Sequence, residues 1–240
     1  MLQRGLVGRI IAAALAAWGV ALPAHAQEKP PGFVALADID PTIVQDLRYA
    51  TANNFTGARV PGYTTGACSL TRQTALALAR VQKDLAAEAL SLKVYDCYRP
   101  VAATNAFVEW ARGPDSQDAL KRYHPRLARG SLIPLGYISA DSNHTKGTTV
   151  DLTLVAEISK GIATGNGAPS APLAFDCGAE PDGTVDMGTG YDCLDPKSHQ
   201  GAAGLNPEQL RWRRKLAAAM ARRGFRGYVR EWWHFTLAGQ

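Results

Sequence analysis

Residues 148–155, Thr-Thr-Val-Asp-Leu-Thr-Leu-Val, constrain the fold more than any other stretch. Polar Thr149, Asp151 and Thr153 alternate with apolar Val150, Leu152 and Leu154. That period of two places one set on each face of a β-strand. An acid inside a β-run is disfavoured unless something on that face needs it. Around this strand the pattern turns helical. Ser69 or Thr71 can cap a helix running to about Leu90, with Leu76, Leu78, Ala79, Val81, Leu85 and Ala89 at helical spacing. A second helix covers about Ala102 to Arg112, after Pro100 has stopped a strand at Ser91 to Cys97. A third opens at Asn206, carries Glu208 in its first turn and ends near Arg223 before Gly224. Tyr228 to Leu237 reads as a final strand, and Asp38 to Gly66 as loops and short strands. The polar stretch from Asp115 to Ile133 carries a short helix. The fold class that follows is α+β: a small, mostly antiparallel sheet flanked by helices.

The amino terminus has the layout of a secretory signal peptide. Arg4 and Arg9 precede an apolar run from Ile10 to Leu22, and Ala24-His25-Ala26 is a small-x-small cleavage pattern. The run is shorter than the roughly 20 residues needed to cross a bilayer. Residues 1–26 are therefore expected to be removed, leaving one domain at 27–240 in the periplasm or outside the cell. Without Arg4 and Arg9 the chain holds 24 basic and 21 acidic residues, a bias too weak to argue for nucleic acid. The oligomeric state is not legible. Four cysteines suit an oxidising compartment. They permit three pairings, of which the sequence-local one, Cys68–Cys97 with Cys177–Cys193, is favoured. A Gly- and Pro-rich, Cys-bearing segment at about 159–185 reads as an insertion in the domain.

Chemistry concentrates in two places. His144 lies in Ser142-Asn143-His144-Thr145-Lys146-Gly147, just before the strand carrying Asp151. Gly147 lets this loop turn so that His144 and Asp151 can meet. His234 lies in Glu231-Trp232-Trp233-His234. Two imidazoles and a carboxylate suit Zn²⁺ and leave a fourth position for water, with an extra glutamate available as base. Taken singly, each residue has an ordinary explanation as a solvated loop histidine or an edge-strand side chain. Asp151 does not. Residues three apart on a flat strand face opposite sides, so Glu231 and His234 can share a site only if the chain bends near Trp232-Trp233. No Gly-x-Ser-x-Gly elbow, Ser-x-x-Lys, phosphate-binding Gly-x-x-x-x-Gly-Lys loop or His-Glu-x-x-His helix is present.

These texts resemble the D-alanyl-D-alanine dipeptidase family, the VanX-type branch of the zinc D,D-peptidases. The resemblance runs through Arg48-Tyr49-Ala50-Thr51 with Asn54-Phe55-Thr56-Gly57, Asp96-Cys97-Tyr98-Arg99-Pro100, Ser142-x-His144-x-x-Gly147 with Asp151, Met187-Gly188-Thr189-x-Tyr191-Asp192, and Glu231-Trp232-Trp233-His234. It implies the zinc D,D-peptidase (hedgehog-like) fold and one zinc ion held by His144, Asp151 and His234. Glu231 would serve as acid–base and Arg99 would face the developing oxyanion. Asp192 and Tyr49 would receive the substrate's ammonium, and Ser142 its terminal carboxylate. The implied reaction is hydrolysis of free D-Ala-D-Ala. Two rivals stand beside it: a zinc carboxypeptidase trimming D-Ala from peptidoglycan stem peptides, and a non-catalytic wall-binding module that keeps the metal.

Overall fold

The computed structural model describes residues 30–116, 122–156, 177 and 183–239. The expected signal peptide and most of the expected insertion lie outside the described residues, as does part of the segment expected to carry a short helix. The described elements are β1 (Phe33–Ala35), a one-turn helix α1 (Leu36–Ile39), β2 (Val44–Gln45), β3 (Ser69–Thr71), α2 (Arg72–Ala86), β4 (Leu90–Asp96), α3 (Val101–Arg112), β5 (Thr149–Ala156), α4 (Pro207–Ala221), β6 (Phe225–Gly227) and β7 (His234–Leu237).

The main sheet has the order β2-β4-β5-β7-β6, and β1 pairs with β3 in a separate ribbon. The expectation of a small, mostly antiparallel sheet is corrected here. The sheet is a five-stranded mixed one, because β2 joins β4 in parallel while the other ladders are antiparallel. Two residues, Val44 and Gln45, are too short to show a period, so the sequence pattern could not reveal this edge.

The alternation of β5 works as its sequence demands. Val150, Leu152 and Leu154 are wholly buried in one hydrophobic core with Leu78, Val81 and Leu85 of α2 and Leu216, Ala219 and Met220 of α4. Thr71 caps α2, its Oγ1 accepting from the Thr74 amide at 3.2 Å. Asn206 caps α4 in a capping box with Gln209, not with Glu208. The expected strand over Tyr228–Leu237 breaks into a hairpin. Strand β6 ends at Gly227, residues 232–233 turn, and β7 begins only at His234. The backbone turns where Glu231 and His234 need a bend to face one site.

Both favoured disulfides are present, Cys68–Cys97 and Cys177–Cys193. No helix among the described residues is long and apolar enough to cross a membrane.

Candidate metal centre and substrate cleft

Three strands put three groups in one row. Asp96 at the end of β4 pairs across the sheet with Asp151 on β5, and Asp151 pairs with His234 at the start of β7. Paired residues share a face, so register brings Asp151 and His234 together, while a bulge between Val94 and Asp96 shifts β4 so that Asp96 falls opposite Asp151. His144 arrives from a 3₁₀ turn, Asn143–Lys146, that closes on Gly147 in the left-handed region at φ 66°. A Cβ at Gly147 would sit 2.1 Å from the Phe33 ring, so the turn requires glycine for space as well as for conformation.

The donor atoms converge. Asp151 Oδ1 lies 3.3 Å from His144 Nε2 and 3.1 Å from His234 Nδ1. One donor atom from each of the three residues falls within 4.8 Å of the others. His144 Nε2 and Asp151 Oδ1 are buried and make no hydrogen bond. Leaving two such atoms unsatisfied is costly unless a cation takes their lone pairs. His144 Nδ1 lies 2.7 Å from the Cys97 carbonyl, to which it can only donate. That bond fixes the tautomer and leaves Nε2 as a lone-pair donor. The residues present therefore fit a divalent cation.

Charge is arranged around that point. Burial alone would raise the Asp151 carboxyl, but His144 and His234 outweigh it and hold it well below the usual carboxylate range. Burial lowers His234 below its ordinary value, against the pull of Asp151 in the other direction. Glu231 is 7 % exposed, and its Oε2 lies 3.4 Å from His234 Nδ1. Burial, then Asp151 and Asp192, push its carboxyl well up. Arg99 donates to Asp96 Oδ2 through Nε at 3.0 Å and Nη2 at 2.8 Å, with the Phe107 and Tyr49 rings against its guanidinium. Burial opposes its charge, yet Asp96, Tyr49, Tyr63 and Asp151 together hold its pKa above the ordinary value.

The cleft has a volume of about 250 Å³, and its lining includes the Tyr49–Asp192 pair, Arg99, Ser142, Asp151, Glu231 and His234. Ligand pockets commonly measure roughly 300–1,000 Å³, so this cleft lies at the small end of that range. Tyr49 donates to Asp192 Oδ1 at 2.9 Å, and Asp192 Oδ2 is buried without a hydrogen-bond partner. Burial, then the Asp151 charge, raises the Asp192 carboxyl well above its usual value. A carboxylate so placed gains strongly from an arriving cation. Ser142 is half-buried at the cleft, where its Oγ accepts from the His144 amide at 3.3 Å. Its hydroxyl hydrogen remains available to an acceptor in the cleft.

Asp192 sits on a loop, not a strand, and in left-handed backbone at φ 61°. Such a conformation is strained for a residue with a side chain. The surrounding loop is held from several sides. Cys193 is disulfide-bonded to Cys177, whose carbonyl accepts from the Gly190 amide at 2.8 Å. Ser198 Oγ donates to the Cys193 carbonyl at 2.6 Å, and Trp232 Nε1 donates to Thr189 Oγ1 at 2.8 Å. Arg213, buried in α4, donates to the carbonyls of Met187, Lys197 and His199.

All eight residues singled out in the sequence border this one region. Three that shape it had no assigned role: Tyr63, and Asp96 and Tyr191, which stand within the texts that carry the family resemblance. Asp96 clamps Arg99 and accepts from the Tyr63 hydroxyl at 2.6 Å. Tyr191 lies 3.1 Å from both Asp151 Oδ2 and the Tyr49 hydroxyl. A signal for Asp96 was present, since it too is an acid closing a β-run; Tyr63 looks like an ordinary core aromatic in sequence. His124 and His199 stay away from the donor cluster. His124 bonds the Leu127 carbonyl and His199 the Tyr137 hydroxyl.

Comparison with known proteins identifies the family. A family model described as D-ala-D-ala dipeptidase matches residues 29–167 and 179–240. The chain is 34 % identical over 206 residues to a D-alanyl-D-alanine dipeptidase of Enterococcus faecalis, covering 86 % of this chain and 91 % of that protein. It is 32 % identical over the same shares to one of Enterococcus faecium. It is 31 % identical to one of Escherichia coli over 204 residues, 85 % of this chain and 83 % of that one. Site, sequence and relatives agree: the chain belongs to the D-Ala-D-Ala dipeptidase family of metallopeptidases.

Proposed function

We propose that the protein is a zinc-dependent D,D-dipeptidase that hydrolyses the peptide bond of free D-alanyl-D-alanine. The observation that carries this reading is Asp192 Oδ2, an unpartnered, buried carboxylate oxygen in the same cleft as the His144–Asp151–His234 cluster. It supplies a cation-binding end that a free dipeptide satisfies with its ammonium and a blocked or longer peptide does not.

Zinc is favoured by the donor set. Two imidazole nitrogens and one carboxylate oxygen leave a tetrahedral position open. Asp151 Oδ1 lies 3.3 and 3.1 Å from the two imidazole nitrogens, and all three donors fall within 4.8 Å of one another, a spread one ion could draw together. When bound, the ion polarises the scissile carbonyl and acidifies water. The remaining work falls to the chain. Glu231 accepts the proton of the attacking water and returns it to the leaving amine. Its raised pKa matches a group that must do both. Arg99, pinned by Asp96, offers a fixed cation as negative charge grows on the carbonyl oxygen. Asp192 and Tyr49 hold the ammonium and Ser142 the terminal carboxylate. Recognition of both ends within a small cleft excludes longer chains, because an internal residue would leave Asp192 buried and unpaired.

The Arg4–Ala26 segment supports export, so the enzyme would meet dipeptide released from the wall or taken from outside the cell. The test uses purified protein with its metal content measured before and after chelation. Free D-Ala-D-Ala and N-acetyl-D-Ala-D-Ala are offered in parallel. Cleavage of the free dipeptide that disappears with zinc and returns on its addition is expected. A preference for the blocked peptide would instead make the protein a carboxypeptidase, and turnover that survives complete metal removal would end the zinc reading.

A further inference from the structure

Hydrogen-bond bookkeeping around Tyr191 leaves one phenol between the two ends of the cleft. We infer that Tyr191 is a positioning residue for the metal, directing its single hydroxyl hydrogen onto the outer oxygen of Asp151. This rests on the reading of Asp151 as a metal ligand. It assigns a role to a side chain that is not itself a ligand.

The geometry is specific. Asp151 Oδ1 faces His144 and His234, whereas Oδ2 faces the Tyr191 hydroxyl at 3.1 Å. Arg99 Nη2 stands farther from Oδ2, at 3.7 Å, beyond hydrogen-bond length. Tyr191 is thus the nearer donor to that oxygen. A phenol has one hydrogen, and Tyr191 has two neighbours for it, Asp151 Oδ2 and the Tyr49 oxygen. Tyr49 already directs its own hydrogen to Asp192 Oδ1 at 2.9 Å. Between a carboxylate and a neutral phenol the carboxylate is the stronger acceptor, because charge-assisted bonds are roughly twice as strong. The hydrogen therefore belongs to Asp151. It holds the carboxylate in the rotation that presents Oδ1 alone to the imidazoles.

The ring is fixed for this task. Tyr191 is 5 % exposed, stacked on Tyr95 at 4.5 Å between centroids and 14° between planes, with Trp233 edge-on at 5.6 Å. These contacts use the ring and not the hydroxyl. Tyr191→Phe should therefore keep the packing and delete only the hydrogen bond. Partners that orient metal ligands typically contribute 10–100-fold in metal affinity.

The experiment compares wild type, Tyr191→Phe and Tyr49→Phe, each stripped of metal and titrated with Zn²⁺ against a chromophoric chelator. Thermal melting of the metal-free proteins and KM for free D-Ala-D-Ala are measured alongside. Expected is about tenfold weaker zinc binding for Tyr191→Phe, with the melting temperature of the metal-free protein unchanged. Tyr49→Phe should leave zinc affinity intact and raise KM. Zinc affinity of Tyr191→Phe within about twofold of wild type would overturn the inference, the whole tenfold loss being what an orienting bond supplies. A loss of affinity matched by an equal loss of metal-free stability would also overturn it, by reducing Tyr191 to packing. If wild type itself binds no zinc at this cluster, the metal reading fails first, and that result is distinct from either of the others.

Discussion

The two ends of the cleft are built by opposite means. At the proposed metal end, Asp151 and His234 are neighbours in strand register and a bulge after Val94 brings Asp96 into line with them, all in the middle of a sheet. At the amine end, Asp192 stands on a loop in left-handed backbone, kept there by a disulfide and by Arg213 bonding three loop carbonyls. A sheet offers precision that costs little, because the strands form regardless of the site. A loop can place a carboxylate where no strand reaches, but each constraint must be added separately. Rate should therefore depend chiefly on the first region and substrate choice on the second.

The sharpest test of that division is Glu231→Gln. Glutamine keeps the size of the buried side chain and removes the proton acceptor. Turnover should fall by about 10²–10⁴-fold, while zinc content and KM stay near those of the parent. Unchanged turnover would move the protein out of the enzymes and revive the wall-binding alternative.

Next in size is Asp192→Asn. Losing a charged hydrogen bond to the ammonium is worth about 1.5–3 kcal/mol, or roughly 10–100-fold in KM for the free dipeptide. Discrimination against the N-acetylated peptide should narrow, with zinc affinity untouched. If the variant instead lost its metal, the two ends would not be separable and the comparison would fail.

The disulfides extend the comparison, since each staple touches one end. Cys97 supplies the carbonyl that orients His144, and Cys193 follows Asp192 directly. Each bridge should contribute about 3 kcal/mol to stability. Replacing Cys68 and Cys97 by serine should weaken zinc binding, whereas replacing Cys177 and Cys193 should raise KM and leave zinc alone. Chelator competition and steady-state kinetics on the two double variants read this directly.

What the sequence disclosed follows the same line. Asp151 was legible because a carboxylate breaks a clean alternation, and His144 and Glu231/His234 because their residue types are scarce and chemically apt. The helices were legible from apolar spacing and caps, with α2 ending short of Leu90 because β4 begins there. Register was not legible. Nothing local in residues 90–96 says that Asp96 will lie opposite Asp151, since pairing is decided by the whole sheet. The parallel edge at β2 was hidden by its brevity. Tyr191 stood beside Asp192 in the text that carries the resemblance, but its role was not legible, because nothing in the sequence shows that its hydroxyl reaches Asp151.

The smallest expected effect crosses between the regions. Burial is the main reason that Glu231 is raised, and the Asp151 and Asp192 charges add to it. Asp192 raises Glu231 only to the extent that it is itself ionised against its own burial, and replacing it by a neutral amide removes that contribution, so the Glu231 pKa should fall. Because Glu231 works as a base only when ionised, the acid limb of kcat/KM should move to lower pH in Asp192→Asn. Asp151, which contributes more, remains in place, so the move should be modest. A limb that shifts upward would contradict the sign of the interaction. One that does not move at all would show the ends to be electrostatically as well as architecturally independent, with Asp192 acting on substrate alone.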